Sequence, residues 1–209
     1  MSGPIGNLVL VVGPSGAGKD TVLAGARVAL RRDPGFVFPR REITRPADAG
    51  GEDHVAVSEA DFDAALQRNG YTLSWQAHGL RYGIPNAIER DLAAGRTVTV
   101  NTSRGIIDEA RERFPGTQVV HITAPAHVLA ERLAGRGRET LSDIQARLDR
   151  KAEMSDGEGF WEIDNGGLPE TAIDQLISIL RVVDARSKIM SETAGARYRG
   201  LSSPSVLLD

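Results

Sequence analysis

The chain has 209 residues, of which 41% are hydrophobic and 25% charged, so it can form a substantial core and is not disordered by composition. Its net charge of −3 argues against a general nucleic-acid-binding protein, and the lack of cysteine excludes disulfides and thiolate metal sites. No apolar run is long enough to cross a membrane, and the N-terminus has no basic leader. These features predict a cytoplasmic globular protein that folds as one domain over residues 1–209.

Apolar strand patterns alternate with helical patterns along the chain, which is typical of an α/β fold whose parallel sheet is covered by helices. Strands are predicted over residues 8–12, 97–101, 118–123 and 160–164. Helices are predicted over 21–32, after caps at Ser58 and Ser103, from Pro85 to Gly95, around 128–133 and 144–148, and from Pro169. The stretch from the first helix to Gly83 has neither a long helical pattern nor a strong strand pattern. The tail from about Ala194 has no clear period.

A glycine-rich loop connects the first strand to the first helix. The sequence Gly13-Pro14-Ser15-Gly16-Ala17-Gly18-Lys19 is the G-x-x-x-x-G-K pattern in its strand–loop–helix context. Glycines allow backbone N–H groups to surround a phosphate, and the helix N-terminus adds partial positive charge. Lys19 can reach the β- and γ-phosphates. We therefore expect this loop to bind ATP.

The residue after the lysine is Asp20, where the pattern expects serine or threonine, and Thr21 follows it. A carboxylate can ligate Mg²⁺ directly, and a threonine hydroxyl can take the usual role. The sequence predicts a Mg²⁺ site at Asp20 or Thr21 and leaves open which of the two is the ligand.

Arginines recur in the segments that follow the first helix, at residues 40–45 and 75–83, with an acidic segment at 50–54 between them. Guanidinium groups suit bidentate capture of a second substrate that carries phosphate. The alternative is a solvated basic surface loop. The neighbouring phosphate loop favours the binding role.

The phosphate loop is followed in order by Thr44-Arg45, Gly51-Glu52, Tyr82-Gly83 and an arginine-rich break. This layout resembles the guanylate-kinase-like nucleoside monophosphate kinases. Within that superfamily, residues 44–54 and 75–85 are most similar to the ribose 1,5-bisphosphate phosphokinases of phosphonate catabolism. The resemblance implies a three-layer P-loop kinase fold with a parallel sheet core, a substrate-binding insert near residues 34–85 and an arginine-rich lid near 134–141.

The resemblance also implies the reaction and its residues. ATP, with Mg²⁺, would phosphorylate ribose 1,5-bisphosphate to 5-phosphoribosyl 1-diphosphate in phosphonate degradation. Catalysis would fall to Lys19, Arg136 and Arg138, and ATP binding to residues Gly13 to Thr21 with Arg132 and Asn165. The acceptor would contact Arg41, Thr44, Arg45, Glu52, Asp53, His54, Gln76, His78, Tyr82, Gly83 and Arg147.

Two departures separate the chain from true guanylate kinases. Asp48 lies where those enzymes have a second arginine for the GMP phosphate, and the sequence after Asp53-His54 lacks their phosphate-binding tyrosine motif. A guanylate or other nucleoside monophosphate kinase is nevertheless the alternative reading. A catalytically inactive interaction module is a third reading, which the intact Gly18-Lys19 disfavours.

The remaining candidates carry less information. No two histidines have metal-ligand spacing, so we expect no zinc site, and His121 and His127 are predicted to be structural. Trp75 fits a core position better than a ligand contact. The role of Asn101, at the end of a central strand, stays open. We expect a small phosphorylated sugar as the partner, with no nucleic acid and no membrane, and leave the oligomeric state open, a homodimer included.

Overall fold

The computed structural model describes residues 6–47, 52–134 and 159–200; in the last helix it describes the side chains as far as Met190, and that of Thr193. The expected helix around 144–148, the lid and Asp48 lie outside these ranges. The strands are β1 (Asn7–Val12), β2 (Phe36–Val37), β3 (Glu42–Ile43), β4 (Val55–Ala56), β5 (Tyr71–Ala77), β6 (Leu80–Pro85), β7 (Thr97–Asn101), β8 (Gln118–Thr123) and β9 (Phe160–Asp164). The helices are α1 (Lys19–Leu30), α2 (Glu59–Gln67), α3 (Ile88–Ala93), α4 (Ile107–Arg113), α5 (Ala126–Ala134) and α6 (Pro169–Gly200).

The central sheet contains β2, β7, β1, β8 and β9 in that spatial order, and every neighbouring pair is parallel. β1 lies in the middle, where Val9 to Val12 are fully buried. A continuous run of branched apolar residues suits a parallel strand that is covered on both faces. The predicted parallel sheet is confirmed.

The side chains of β1 alternate between two hydrophobic clusters. Val9 and Val11 pack with α1 and α6, whereas Leu8, Leu10 and Val12 pack with α3, α4 and the short 3₁₀ helix before α4. A sheet with helices on both faces is the expected three-layer α/β arrangement.

A second sheet contains β4, β3, β6 and β5 in that order, and it is formed by the predicted insert. β5 and β6 are an antiparallel hairpin whose turn holds His78 and Gly79 in the left-handed region, with φ values of 53° and 72°. This turn geometry matches the right-handed twist of the flanking strands. Leu73 and Ile84 join the hairpin to the core cluster that contains β1.

The insert is where the secondary-structure prediction is wrong. The stretch without a strong strand pattern contains the seven-residue β5 and the six-residue β6. Pro85 does not start a helix: it ends β6, opposite Tyr71 where the register shifts, and α3 begins at Ile88. A proline lacks the N–H that a strand interior needs, so a strand end next to an irregularity accommodates it.

The other predicted helix and strand boundaries agree more closely with the structure. The predicted strands at 97–101, 118–123 and 160–164 are confirmed, as is the Ser58 cap, whose Oγ accepts a hydrogen bond of 3.1 Å from the Asp61 N–H. The first helix begins at Lys19 and not at Thr21, because Gly18 already forms its N-terminal boundary. The last helix continues past Ala194 to Gly200. Within the described ranges, no helix has the length and apolar character required to span a bilayer.

Candidate active site

A cavity of about 410 Å³ lies where β1 and β7 end, between the glycine-rich loop and the second sheet. The carboxyl ends of parallel strands form the usual ligand-binding edge of an open α/β sheet. The wall of the cavity contains most of the glycine-rich loop, the start of α1, residues of the insert, residues at and after the end of β7, and one residue of α5. These residues are Gly13, Pro14, Ser15, Gly16, Gly18, Lys19, Asp20, Thr21, Arg41, Arg45, Glu52, Trp75, Ala77, His78, Tyr82, Asn101, Thr102, Ser103, Arg104 and Leu133.

Two glycines of the loop are required by close approaches of other atoms. Gly13 has a φ of 147°, and a Cβ there would lie 2.0 Å from the carbonyl oxygen of Ile122. Gly18 has a φ of 81°, and a Cβ there would lie 2.4 Å from Nδ2 of Asn165. The loop therefore follows a path that L-residues with side chains could not adopt.

The ammonium group of Lys19 lies over its own loop. Its Nζ donates hydrogen bonds to the carbonyl oxygens of Gly13 and Pro14, at 2.9 and 3.0 Å. These contacts hold a positive charge at the mouth of the loop, where N–H groups and the α1 N-terminus also favour an anion. The arrangement fits the phosphate-binding role that the sequence predicts for this loop.

Asn165 braces the loop from the far side. It is 2% exposed, and its Nδ2 donates a 2.7 Å hydrogen bond to the carbonyl oxygen of Ala17. In the described part of the chain, the buried Oδ1 of Asn165 and the buried Nη1 of Arg132 have no hydrogen-bond partner. A buried guanidinium nitrogen without a partner is costly, so a phosphate oxygen is a suitable acceptor for it.

Asp20 lies in the first turn of α1, and its Oδ1 accepts a 2.7 Å hydrogen bond from Nδ2 of Asn101. Asp20, Thr21 and Asn101 all line the cavity. Carboxylate, hydroxyl and amide oxygens are the ligands that Mg²⁺ takes in proteins, and one or two of them suffice when substrate phosphates complete the coordination. The residues present therefore fit a Mg²⁺ ion bound together with ATP.

Arg41 and Glu52 form a nearly buried ion pair, with side-chain exposures of 10% and 13%. Both Nε and Nη2 of Arg41 donate to Oε2 of Glu52, the first over 2.8 Å. The guanidinium also lies 5.3 Å from the centroid of the Tyr82 ring, which stacks on Trp75 at 5.2 Å. The pair and the stacked rings form a rigid wall of the cavity.

Arg45 has unused hydrogen-bonding capacity. Its buried Nε lacks a partner among the described residues, and its Nη2 lies 3.9 Å from Glu52 and 3.4 Å from Nδ1 of His54. His54 is held by the backbone carbonyls of Glu52 and Arg45, at 3.0 and 3.2 Å. Arg45 is therefore better suited than Arg41 to donate hydrogen bonds to a phosphate, because the guanidinium group of Arg41 is already paired with the Glu52 carboxylate.

Burial raises the pKa of Tyr82, and the nearby Arg41 only partly opposes this. At neutral pH the phenol is therefore protonated and can donate a hydrogen bond into the cavity. Asp53 lies outside this cavity, where a hydrogen bond from Arg27 lowers the pKa of its carboxyl. Asp53 is consequently an ionised partner of Arg27.

The family model described as guanylate kinase matches residues 5–182 of the chain. The ribose 1,5-bisphosphate phosphokinase PhnN of Acidiphilium cryptum is 53% identical over 84% of this chain and 92% of its own length. The chain belongs to the guanylate kinase family, in its ribose 1,5-bisphosphate phosphokinase branch. The bifunctional ribose 1,5-bisphosphokinase-thymidine phosphorylase of Azorhizobium caulinodans is 46% identical over 88% of this chain, which spans only 27% of that longer relative.

A solved structure supports the fold of this family member. The crystal structure of guanylate kinase from Anaplasma phagocytophilum aligns with a TM-score of 0.64 at 19% identity, over 87% of this chain and 88% of that one. At this identity the likeness concerns the fold alone. Together with the sheet order, it confirms the predicted P-loop kinase architecture.

The structure brings only part of the predicted acceptor set to the cavity of this phosphokinase-family chain. Arg41, Arg45, Glu52, His78 and Tyr82 line it. Five other predicted residues do not line the cavity: Thr44, Asp53, His54, Gln76 and Gly83. The Oγ1 atom of Thr44 accepts a hydrogen bond of 2.9 Å from the Arg81 N–H, and Gln76 is exposed. Gly83 packs against Tyr71, whose ring would lie 2.5 Å from a Cβ at position 83. Arg136, Arg138 and Arg147 lie outside the described residues.

Four consecutive residues that start at the last residue of β7 also reach the cavity, although the sequence pattern predicts a site role for none of them. Asn101, Thr102, Ser103 and Arg104 line it because β7 is the immediate neighbour of β1. The one usable signal was positional, since residues that follow a central parallel strand meet the phosphate loop at the same edge. Trp75, expected in the core, packs against a core cluster and also lines the cavity.

Proposed function

We propose that this protein transfers the γ-phosphoryl group of ATP to the 1-phosphate of ribose 1,5-bisphosphate, which forms 5-phosphoribosyl 1-diphosphate and ADP. The observation that carries the proposal is that the phosphate loop with Lys19 and the guanidinium groups of Arg41 and Arg45 line one cavity of about 410 Å³. Such a cavity can hold a phosphate donor and a phosphate acceptor together. The similarity to ribose 1,5-bisphosphate phosphokinases supports this choice of acceptor.

In the proposed reaction, an oxygen of the acceptor 1-phosphate forms a bond to the γ-phosphorus while the bond from that phosphorus to the β–γ bridging oxygen breaks. ADP leaves with the electron pair of that bond. A phosphate oxygen is already ionised at neutral pH, so the protein needs no strong general base. Its tasks are to position the reactants and to stabilise charge.

The described residues divide these tasks. The loop and Lys19 would bind the β- and γ-phosphates, and Lys19 would exchange its contacts with the Gly13 and Pro14 carbonyls for phosphate oxygens. Arg45 and Tyr82 would donate to the acceptor phosphate. Arg41 would act mainly by holding the Trp75–Tyr82 stack and Glu52 in place.

Asp20 is the principal candidate for holding Mg²⁺, with Thr21 as the alternative and Asn101 beside them. When bound with ATP, the ion supplies neutralisation of the phosphate charge. Asn101 orients the Asp20 carboxylate. Arg132 would contact ATP, whereas Arg136, Arg138 and Arg147 stay predictions for the closing lid. We place the reaction in the cytoplasm, within phosphonate breakdown.

The test is a steady-state measurement of ADP release with ribose 1,5-bisphosphate or GMP as acceptor, with ³¹P NMR to identify the product. We expect ribose 1,5-bisphosphate to be favoured by orders of magnitude in kcat/KM, and the product to contain a diphosphate at carbon 1. Efficient phosphorylation of GMP with no turnover of the sugar would replace this proposal with a guanylate kinase activity.

Lys19→Ala provides the matched inactive variant for that assay. Removal of the loop ammonium should lower kcat by about 10²-fold or more, because a charge that stabilises the transferring group is lost. Lys19 contacts the loop and not the core, so the thermal midpoint should stay near the wild-type value. Near-normal turnover by this variant would contradict the assignment of the loop.

A further inference from the structure

A second cavity, of about 490 Å³, adjoins the first one. The two share Asp20, Thr21, Arg41, Glu52 and Asn101, so a single ligand can extend from one into the other. The proposed function uses only the first cavity, which holds the phosphate loop. The second extends away from that loop, between α1 and the segment that leads from β2 to β3.

The second cavity contains two guanidinium groups that contact a single carboxylate. Nη1 of Arg27 lies 2.7 Å from Oδ2 of Asp53, and Nη1 of Arg40 lies 3.4 Å from Oδ1 of the same residue. One carboxylate shared by two arginines leaves this cluster with one net positive charge. Each guanidinium has five N–H donors, and in the described part of the chain Asp53 is the acceptor that both use. The other charged residues of the wall are the paired Arg41 and Glu52, and Asp20 on the part shared with the first cavity.

The side chains of Arg27, Arg40 and Asp53 are only about half buried. Their exposed fractions are 44%, 54% and 51%, in that order. Ion pairs this exposed contribute little to stability, so exchanging the carboxylate for a stronger anion is inexpensive. A phosphate dianion accepts hydrogen bonds from two arginines better than one shared carboxylate does.

The rest of the wall suits a small sugar. Leu23 and Ala24 of α1, with Phe38 and Pro39, provide apolar surface beside the arginine pair. A pentose has an apolar ring face together with its hydroxyls. The bisphosphorylated sugar proposed above needs two phosphate sites of different kinds, one for the phosphate that reacts and one for the phosphate that does not.

We propose that Arg27 and Arg40 form the subsite for the non-reacting 5-phosphate of the acceptor. This inference rests on the proposed function and extends it, since it states how the protein distinguishes a bisphosphorylated sugar from a monophosphorylated one. Asp53 is then the counter-ion that holds the two arginines together before the substrate arrives, and not a substrate ligand as the resemblance implied. The 1-phosphate lies beside Arg45 in the first cavity.

The test compares two acceptors, ribose 1,5-bisphosphate and ribose 1-phosphate, in the wild-type protein and in three variants. Arg27→Gln, Arg40→Gln and the double variant remove the guanidinium charge but keep a polar side chain of uncharged amide type. Arg32→Gln is the control, because Arg32 is exposed near the same end of α1 and does not line the cavity. Thermal midpoints measured in parallel show whether each variant is folded.

We expect each single substitution to raise KM for ribose 1,5-bisphosphate about tenfold, and the double substitution to raise it further, with little change in kcat. The kinetics with ribose 1-phosphate should not change, so the preference for the bisphosphate should fall. Arg32→Gln should match the wild-type protein with both acceptors.

Two results would overturn the inference while leaving the proposed function intact. In the first, the wild-type protein phosphorylates ribose 1,5-bisphosphate and the double variant keeps the full preference for it. In the second, the double variant loses activity equally with both acceptors, which would mean that the arginines do not contact the 5-phosphate. A wild-type protein that does not phosphorylate ribose 1,5-bisphosphate would overturn the proposed function and this inference with it.

Discussion

Nδ2 of Asn101 donates a hydrogen bond of 2.7 Å to Oδ1 of Asp20, which ties the end of β7 to the first turn of α1. The two residues are 81 positions apart in the chain, and Asp20 stands where the phosphate-loop pattern expects serine or threonine. The contact orients the Asp20 carboxylate through one of its two oxygens. It places an anionic group beside a site for anionic phosphates, which is favourable when a cation lies between them.

Asp20→Asn should therefore raise the Mg²⁺ concentration needed for half-maximal activity and lower kcat, and excess Mg²⁺ should restore part of the loss. The substitution keeps the shape and a carbonyl oxygen but removes the charge, so the thermal midpoint of the ligand-free protein should change little. Thr21→Val is the matched comparison. If Asp20→Asn leaves the Mg²⁺ dependence unchanged while Thr21→Val shifts it, Thr21 is the ligand.

Glu52→Gln should lower the free energy of unfolding by about 2 kcal/mol or more, because Arg41 would keep its charge in a nearly buried position without its counter-ion. Urea denaturation measures this. Glu59→Gln is the control: Glu59 is 62% exposed and lies 3.3 Å from Arg81, so its loss should cost about 0.5 kcal/mol or less. Equal effects of the two substitutions would contradict the structural role given to the Arg41–Glu52 pair.

Asn165→Asp should raise KM for ATP and lower the thermal midpoint, because a carboxylate would face the Ala17 carbonyl oxygen where an amide now donates. We expect a loss of about 2 kcal/mol in stability. Asn86→Asp tests the same chemistry in an exposed position, since Nδ2 of Asn86 donates to the Asn69 carbonyl over 2.8 Å. The control should lose much less stability and keep its KM for ATP.

The pH dependence of stability should include a contribution from His121. Burial lowers the pKa of His121, and the nearby Glu162 only partly offsets this. The unfolded chain then binds more protons than the folded protein, so the free energy of unfolding should fall as the pH decreases below about 6.5, the ordinary histidine value. His121→Gln should reduce that slope between pH 7.5 and 5.5. An unchanged slope in this variant would contradict the contribution assigned to His121.

Much of the core could be predicted because its signals are local. β7, β8 and β9 are short segments rich in β-branched or aromatic residues, and the Ser58 cap is a local hydrogen-bond pattern. The hairpin of β5 and β6 was missed because its register depends on pairing across the turn at His78 and Gly79. Pro85 suggested a helix start, although its actual partner, Tyr71, lies on another strand.

In the candidate site, too, the local features could be predicted and the contacts between distant residues could not. The loop from Gly13 to Lys19 is contiguous, so its phosphate chemistry could be deduced from spacing alone. The Arg41–Glu52 pair, the Asn165 brace and the cluster of Arg27, Arg40 and Asp53 connect residues from different elements. Composition and spacing do not predict these contacts, because each contact forms only once the chain has folded.

The glycine-rich loop and the stacked rings of Trp75 and Tyr82 are carried by two different hydrogen-bonded sheets. Trp75 and Tyr82 stand on the hairpin of the second sheet, while the loop extends from a strand at the centre of the first. Trp75 and Tyr82 can consequently be exchanged without altering the strand that leads into the loop. For protein engineering, this means that one wall of the cavity can be randomised at a few positions of the second sheet while the loop on the opposite wall is kept constant.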